Sequence, residues 1–302
     1  MNNRYYASKL LLFGEYAIIF NSMALATPFR KFKGTLNIQK ETGRNQHNSN
    51  LVLKEFTDYL VQHHISFLDL EKLVADIDKG LVFKSNIPPS YGLGSSGALC
   101  AAVYDNYRIN KNLEKGNLFN IRKELAMMES YFHGNSSGVD PLVSLINQNI
   151  LLLDKEKIDI IHINWDKLFS SILVFLVDTK QTGDTGPLVK WFVEHADNYY
   201  EKKELKRHLI DYTNLSINAF INYSLDVFMD ISHQLSTFQL HVMEPMIPES
   251  HKHIWKQGLE KKLFSMKICG SGGGGYLLGF AKANKKKQVT EELKDYKIQF
   301  LH

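Results

Sequence analysis

The segment PPSYGLGSSGALCAAVYDNY, residues 88–107, restricts the fold of this chain more than any other feature. It places three glycines and three serines directly before apolar residues at helical spacing, and a strand-like segment precedes it. Glycine costs backbone entropy, but it permits positive φ angles and lets a ligand approach the backbone closely. A helix that begins after such a loop presents unpaired amides and partial positive charge to an anion. The sequence therefore predicts a strand, a glycine loop and a helix that together cradle an anion.

This loop differs from the Walker nucleotide-binding motif. It has no Lys at the offset that a Walker loop requires. A tight strand-to-helix turn capped by Ser95 or Ser96 explains the segment equally well when it is taken alone. The residues that we predict to form the cradle are Gly92, Leu93, Gly94, Ser95, Ser96 and Gly97.

A second segment, MESYFHGNSSGVDPLVS at residues 128–144, separates two carboxylates by a cluster of Gly, Ser and Asn. Glu129 falls near the end of a predicted helix, and Asp140 falls in the loop that we predict beyond it. Phosphoryl transfer needs one carboxylate to hold a cation and another to face a hydroxyl. The pair therefore favours that chemistry. For His133, in the same segment, we expect hydrogen bonds within the loop rather than general-base catalysis.

Two further segments carry unusual residues. MKICGSGGGGYLLGF, residues 266–280, has four consecutive glycines between β-rich stretches. Four glycines weaken any strand, so close approach of the backbone to a ligand or to another loop is expected. In KLLLFGEYAII, Lys9 stands at the start of an otherwise apolar strand. Taken alone, Lys9 is also explained as a lysine at a strand edge that reaches solvent.

In this order, the segments resemble the superfamily of galactokinase, homoserine kinase, mevalonate kinase and phosphomevalonate kinase, the GHMP kinases. The resemblance lies in KLLLFGEYAII, PPSYGLGSSGA and CGSGGGGY. Within that group, ESYFHGNSSGVDPLVS is most similar to the mevalonate kinase version. VDTKQTGDTGPLV, residues 177–189, is similar to the segment that mevalonate kinases place at the substrate. The matches are distributed over almost the whole chain.

The resemblance implies an α+β fold of two lobes with the active site in the cleft between them. Residues 1–166 would form an N-terminal ATP-binding lobe of mixed sheet and helices, and residues 167–302 a ferredoxin-like C-terminal lobe. The implied reaction is ATP- and Mg²⁺-dependent phosphorylation of the C5 hydroxyl of mevalonate, a step of isoprenoid precursor synthesis. A kinase for phosphomevalonate or another small alcohol and a non-catalytic nucleotide-binding sensor stay open as alternatives. The resemblance allows a homodimer.

The resemblance also implies roles for individual residues. Asp140 would accept the hydroxyl proton, and Lys9 would hold Asp140 ionised and steady the reacting oxygen. Glu129 and Ser96 would hold the magnesium ion. The residues implied at the acceptor, or closing over the phosphates, are Glu15, Tyr16, His133, Thr185, Gly272, Gly273 and Gly274.

Several residues depart from the mevalonate kinase pattern. Tyr16 stands where many mevalonate kinases have His, and the resulting GEYA is similar to phosphomevalonate kinases. GSSGA, in place of GSSAA, points the same way. Ser271 replaces a usual Ala, and Ser136 replaces a common Pro. None of these changes removes a charged group that the chemistry requires, but they leave the acceptor open.

Composition excludes other classes of protein. The net charge is only +4 and the basic residues are spread along the chain, so we expect no nucleic-acid partner. No apolar run approaches the length of about 18 residues that spans a membrane. Lys9, Gly14 and Glu15 interrupt the apolar N-terminal segment, which favours a strand over a signal peptide. Cys100 and Cys269 are expected to be buried free thiols. We therefore expect a cytoplasmic protein that does not bind membranes.

Overall fold

The computed structural model describes residues 4–39, 44–110, 117–183, 185–198 and 202–301, some helical residues by their backbone alone. Contacts within the chain define two compact units, and each is discontinuous in sequence. Unit 1 comprises residues 1–10, 27–88 and 93–148, and unit 2 comprises residues 11–26, 89–92 and 149–302. The domain boundary between residues 166 and 167 stays a prediction.

Unit 1 is built around a buried helix. Its helices are α1 (Arg44–Gln62), α2 (Leu70–Asp78), α3 (Ser95–Tyr107), α4 (Leu118–His133) and α5 (Val139–Ile146). Strand β3 (Leu81–Ser85) pairs antiparallel with the second half of β2 (Ala24–Ile38), and β1 (Tyr6–Phe13) contributes its first residues. Every residue of α3 from Gly97 onwards is buried, because α4 and α5 pack against it. The glycine loop therefore leads into the core of this unit.

Unit 2 contains a four-stranded antiparallel sheet formed by β6 (Ile172–Asp178), β7 (Ser265–Ile268), β8 (Tyr276–Lys282) and β9 (Lys297–Phe300). Two further strands of this unit, β4 (Asn149–Leu152) and β5 (Ile158–Ile161), pair antiparallel with each other outside that sheet. The helices of this unit are α6 (Trp165–Phe169), α7 (Thr185–Asn198), α8 (Lys202–Ile221), α9 (Leu225–Val242), α10 (Glu249–Glu260) and α11 (Lys286–Glu292). The sheet has the order β7-β8-β6-β9, and β6 is buried along its whole length.

The connectivity of unit 2 confirms the expected ferredoxin-like fold. Helices α7 to α10 connect β6 to β7, a glycine loop connects β7 to β8, and α11 connects β8 to β9. Numbered along the chain, the four strands lie in the order 2-3-1-4. Helices on this βαββαβ path pack against the sheet, with α9 and α10 contacting β7.

The prediction for the glycine-loop segment is confirmed, whereas that for a polar segment before it is not. The strand, the glycine loop and the helix occur as β3, residues 86–94 and α3. The polar composition of ETGRNQHNSN, residues 41–50, predicts a loop, and this prediction is wrong from Arg44 onwards, where α1 begins. Residues 44–50 contain neither Gly nor Pro, so their polarity does not prevent the helix from extending beyond its apolar part.

Two expectations from composition can also be compared with the structure. Cys100 and Cys269 are buried free thiols, as predicted. In the part of the chain that the structure describes, every helix is too short or too polar to cross a bilayer.

Candidate functional site

The glycine loop enters α3 through a left-handed residue. Gly94 has a φ of +69° and forms the N-cap of the helix. The backbone amide of Lys9 donates to the carbonyl of Leu93 at 3.0 Å, which ties the loop to β1. Among the described residues, no side chain caps α3, so the alternative of a Ser95 or Ser96 cap is wrong. The first-turn amides have no acceptor within the helix and are suited to an anion.

Lys9 and Asp140 form an ion pair within unit 1. Lys9 Nζ lies 3.0 Å from Asp140 Oδ2, and the lysine is buried while 29% of the Asp140 side chain is exposed. Asp140 lies in the first turn of α5 and not in a loop as predicted. Pro141 follows it, and proline is tolerated in a first helical turn. The helix N-terminus and the lysine both stabilise a negative charge at Asp140.

A close helix contact places this ion pair beside the glycine loop. A Cβ atom on Gly97 would lie 2.9 Å from both the carbonyl carbon and the Cβ of Asp140. A Cβ atom on Gly94 would lie 2.9 Å from Lys9 Cγ. Glycine at these two positions lets the start of α3 contact both charged residues. The expected anion cradle and the expected base are therefore neighbours.

Glu129 is a buried carboxylate surrounded by hydroxyl groups. Ser136 Oγ donates to Glu129 Oε2 at 2.5 Å, and Ser96 Oγ donates to Oε1 at 3.3 Å. Burial raises the pKa of Glu129 to about 8, and the negative charge of Asp140 adds to this effect. The two hydroxyls and Lys9 act in the opposite direction. The structure thus places a buried acid beside the loop, where a cation would favour its ionised form.

His133 lies at the end of α4, and its Nε2 is 3.0 Å from Ser96 Oγ. Its ring is at the protein surface, yet partial desolvation lowers its pKa, so the neutral form is favoured. The hydrogen bond that we expect within the loop is instead made to the first turn of α3. His133 therefore helps to hold Ser96.

The oxygen atoms of Ser96 and Glu129 suit a particular kind of magnesium site. Among the described residues, no group of three or more His, Cys, Asp or Glu side chains could hold a metal ion. Magnesium keeps several waters and is commonly bound by one or two carboxylates together with substrate phosphates. The residues present therefore fit an ion that is shared with a nucleotide, and they do not fit a site made by protein ligands alone.

Unit 2 contains a second buried ion pair, which the sequence interpretation missed. Lys267 Nζ donates to Glu15 Oε1 at 2.6 Å and to the carbonyl of Ile268 at 2.8 Å. Both charged side chains are almost completely buried. The available signal was a lysine between Met266 and Ile268 in strand β7, comparable to Lys9 before the apolar residues of β1.

The residue after Glu15 contacts the loop that follows Lys267. Tyr16 has a φ of +60°, and its hydroxyl donates to the carbonyl of Ser271 at 2.6 Å. Burial raises the pKa of the Tyr16 hydroxyl, and the charge of Glu15 raises it further. Tyr16 is therefore a neutral hydrogen-bond donor.

The glycines of the third motif contact other loops of unit 2. The amide of Gly273 donates to the carbonyl of Met246 at 2.6 Å. A Cβ atom on Gly274 would lie 2.5 Å from the carbonyl carbon of Thr182. Close approach to another loop, one of the two expected explanations, is thus observed. Ligand contacts of Gly272, Gly273 and Gly274 stay predictions, as does the role of Thr185, whose side chain lies outside the described residues.

Comparison with known proteins agrees with this geometry. Residues 52–148 match the family model described as the GHMP kinases N terminal domain. These residues include the start of α3, Glu129 and Asp140. Residues 52–148 therefore belong to the GHMP kinase N-terminal domain family.

Three relatives illustrate the likeness to GHMP kinases. A mevalonate kinase from Archaeoglobus fulgidus is 23% identical over 286 residues, which cover 92% of each chain. The structure of L. major mevalonate kinase in complex with R-mevalonate superposes with a TM-score of 0.67 at 15% identity, covering 99% of this chain and 95% of that one. Streptococcus pneumoniae phosphomevalonate kinase, in complex with phosphomevalonate and AMPPNP, gives a TM-score of 0.67 at 12% identity, covering 100% and 99%. The two structures share the GHMP kinase fold with this chain.

The burial of Glu129 predicts how the stability of the folded protein depends on pH. The folded-state pKa of about 8 lies above the ordinary value of 4.5, so folding takes up a proton between these limits. The contribution of Glu129 is complete below the lower value and is lost as pH rises through the higher one. The metal-free, nucleotide-free protein should therefore lose stability over this range, by at most about 1.4 kcal/mol per pH unit from this group.

Urea unfolding, followed by circular dichroism at a series of pH values in EDTA, measures this slope. Glu129→Gln should reduce it, whereas Glu71→Gln, at an exposed position of α2, should leave it unchanged. If Glu129→Gln and the wild type have equal slopes, Glu129 is ionised in the folded protein at neutral pH.

Proposed function

We propose that this protein transfers the γ-phosphoryl group of ATP to the C5 hydroxyl of mevalonate and forms 5-phosphomevalonate. The observation that carries the proposal is the Lys9–Asp140 ion pair beside the left-handed turn into α3. Similarity to a mevalonate kinase over 92% of the chain supports mevalonate as the acceptor.

Asp140 acts as the base in the proposed reaction. Its carboxylate accepts the hydroxyl proton while the hydroxyl oxygen attacks the γ-phosphorus, and the bond to the β–γ bridging oxygen breaks to release ADP. Lys9 holds the carboxylate in place through its contact with Oδ2 and balances the charge near the reacting oxygen. A phosphoryl transition state is loose, so much of the rate comes from positioning and charge neutralisation.

The glycine loop and the oxygens beside it bind the nucleotide in this proposal. The cradle consists of Gly92, Leu93, Gly94, Ser95, Ser96 and Gly97. Ser96 and Glu129 would hold Mg²⁺. When bound, this ion neutralises charge on the phosphates.

The acceptor contacts rest on the resemblance. We propose roles there for Glu15, Tyr16, His133, Thr185, Gly272, Gly273 and Gly274. The cytoplasmic location and the homodimer are likewise proposals that composition and resemblance support.

Phosphomevalonate is the second candidate acceptor. Tyr16 and the sequence GSSGA in the glycine loop both favour it. The TM-score to a phosphomevalonate kinase, 0.67, equals that to a mevalonate kinase, so the fold does not discriminate between the two substrates.

An acceptor screen tests the proposed function. Purified protein is given ATP and magnesium with mevalonate, phosphomevalonate, galactose or homoserine in turn, and ADP release is measured against a reaction without acceptor. Release with mevalonate is the expected result. Release with phosphomevalonate alone would establish the second candidate. No release with any acceptor, together with measurable ATP binding, would instead indicate a nucleotide-binding sensor.

A further inference from the structure

Ser136, in the loop between α4 and α5, has a hydroxyl group that is fixed by two hydrogen bonds. The hydroxyl donates to Glu129 Oε2 at 2.5 Å and accepts the backbone amide of Gly138 at 3.0 Å. Because the amide binds a lone pair of the serine oxygen, the hydroxyl proton is directed at the carboxylate. The side chain is half-buried, so this bond competes only partly with water.

The two oxygens of Glu129 are held unequally. The bond from Ser136 to Oε2 is short, whereas Ser96 Oγ is 3.3 Å from Oε1 and also contacts His133 at 3.0 Å. If Ser96 turns a lone pair towards a cation, its hydroxyl group can donate its hydrogen bond to His133 Nε2 instead of to Glu129 Oε1. Ser136 has no such second acceptor in the described hydrogen bonds, so it keeps its bond to Oε2.

We propose that Ser136 is a positioning residue for magnesium binding, because it occupies Oε2 and leaves Oε1 of Glu129 for the cation. The inference rests on the proposed function, since that function requires the ion. Hydrogen-bond partners of metal ligands fix ligand orientation, and their loss commonly weakens metal binding or activity about 10–100-fold. A carboxylate that is buried as deeply as Glu129 has few alternative donors, so the loss of one hydroxyl is not offset by water.

Binding of a non-hydrolysable ATP analogue with an imido β–γ bridge tests this role without turnover. Calorimetry gives the Kd of the analogue in magnesium and in EDTA. The Kd in EDTA divided by the Kd in magnesium is the ratio that measures how much the ion strengthens binding. Ser136→Ala should reduce this ratio about tenfold. Ser136→Thr keeps a hydroxyl group and should restore most of the ratio.

Ser130→Ala is the matched control. Ser130 follows Glu129 in α4, and its hydroxyl donates to the carbonyl of Ala126 at 2.8 Å. The substitution removes a hydroxyl group from the same region, but one that bonds the helix backbone instead of Glu129. The ratio should therefore stay at the wild-type value. If Ser136→Ala does not fold, Ser136→Cys, with a weaker donor, should give a ratio below that of Ser136→Thr.

Three outcomes would overturn the inference. An unchanged ratio in Ser136→Ala would show that magnesium binding does not need the hydroxyl. An increase of both Kd values by the same factor would leave the ratio unchanged and would show that Ser136 has only a structural role in the loop. If the wild-type protein binds the analogue equally with and without magnesium, both the proposed magnesium site and this inference are wrong. The acceptor screen tests the proposed function independently of this result.

Discussion

Replacing Asp140 with Asn is expected to lower kcat by about 10²- to 10⁴-fold, the range over which a positioned general base contributes. An amide cannot take the proton of the attacking hydroxyl, although its oxygen can still accept a hydrogen bond from Lys9. The Kd of a non-hydrolysable ATP analogue should change little, since Asp140 is not part of the cradle. ADP release at saturating substrate gives kcat, and calorimetry gives the Kd.

Asp166→Asn provides the control, because it makes the same chemical change at an exposed position of α6. A thermal unfolding measurement on Asp140→Asn is also needed, since the substitution leaves the buried charge of Lys9 without its carboxylate. A folded variant that retains kcat within tenfold of the wild type would exclude Asp140 as the base.

Replacing Lys267 with Met should destabilise unit 2 by about 3–5 kcal/mol, the usual cost of removing one partner of a buried ion pair. The Glu15 carboxylate would stay buried without its cation, and its Oε2 atom already has no hydrogen-bond partner among the described residues. All three tryptophans, Trp165, Trp191 and Trp255, lie in unit 2, so tryptophan fluorescence reports its unfolding in urea.

Two further variants separate this effect from the loss of a surface charge. Lys261 pairs with Glu292 at a half-exposed position of the same unit, and Lys261→Met should cost less than about 1 kcal/mol. Adding Glu15→Gln to Lys267→Met should recover part of the lost stability, because it removes the uncompensated charge. Equal destabilisation by the two lysine substitutions would contradict the prediction.

Local patterns predicted the glycine loop well, because the conformation of Gly94 and the start of α3 depend on neighbouring residues. The same reasoning placed Asp140 in a loop, because a cluster of Gly, Ser and Asn residues precedes it. Proline in a first helical turn lacks only an amide that would have no partner in the helix, so α5 includes it. A polar stretch hid the start of α1 in a similar way.

Long-range contacts were beyond such reasoning. Glu15 and Lys267 are 252 positions apart, and no periodicity in the sequence links them. Ser136 was noticed only as a departure from a family pattern. Its bond to Glu129 depends on how the chain turns after α4, which is decided by packing against α3.

Gly97 has a consequence for engineering the acceptor preference of this enzyme. The atoms that would meet an added side chain there are the carbonyl carbon and Cβ of Asp140 and the nitrogen of Pro141, and none of them can move without moving the main chain. The close spacing between α3 and α5 therefore depends on the absence of a Cβ atom at residue 97. A mutant library that varies residue 97 would mostly sample proteins in which Asp140 is displaced from the start of α3.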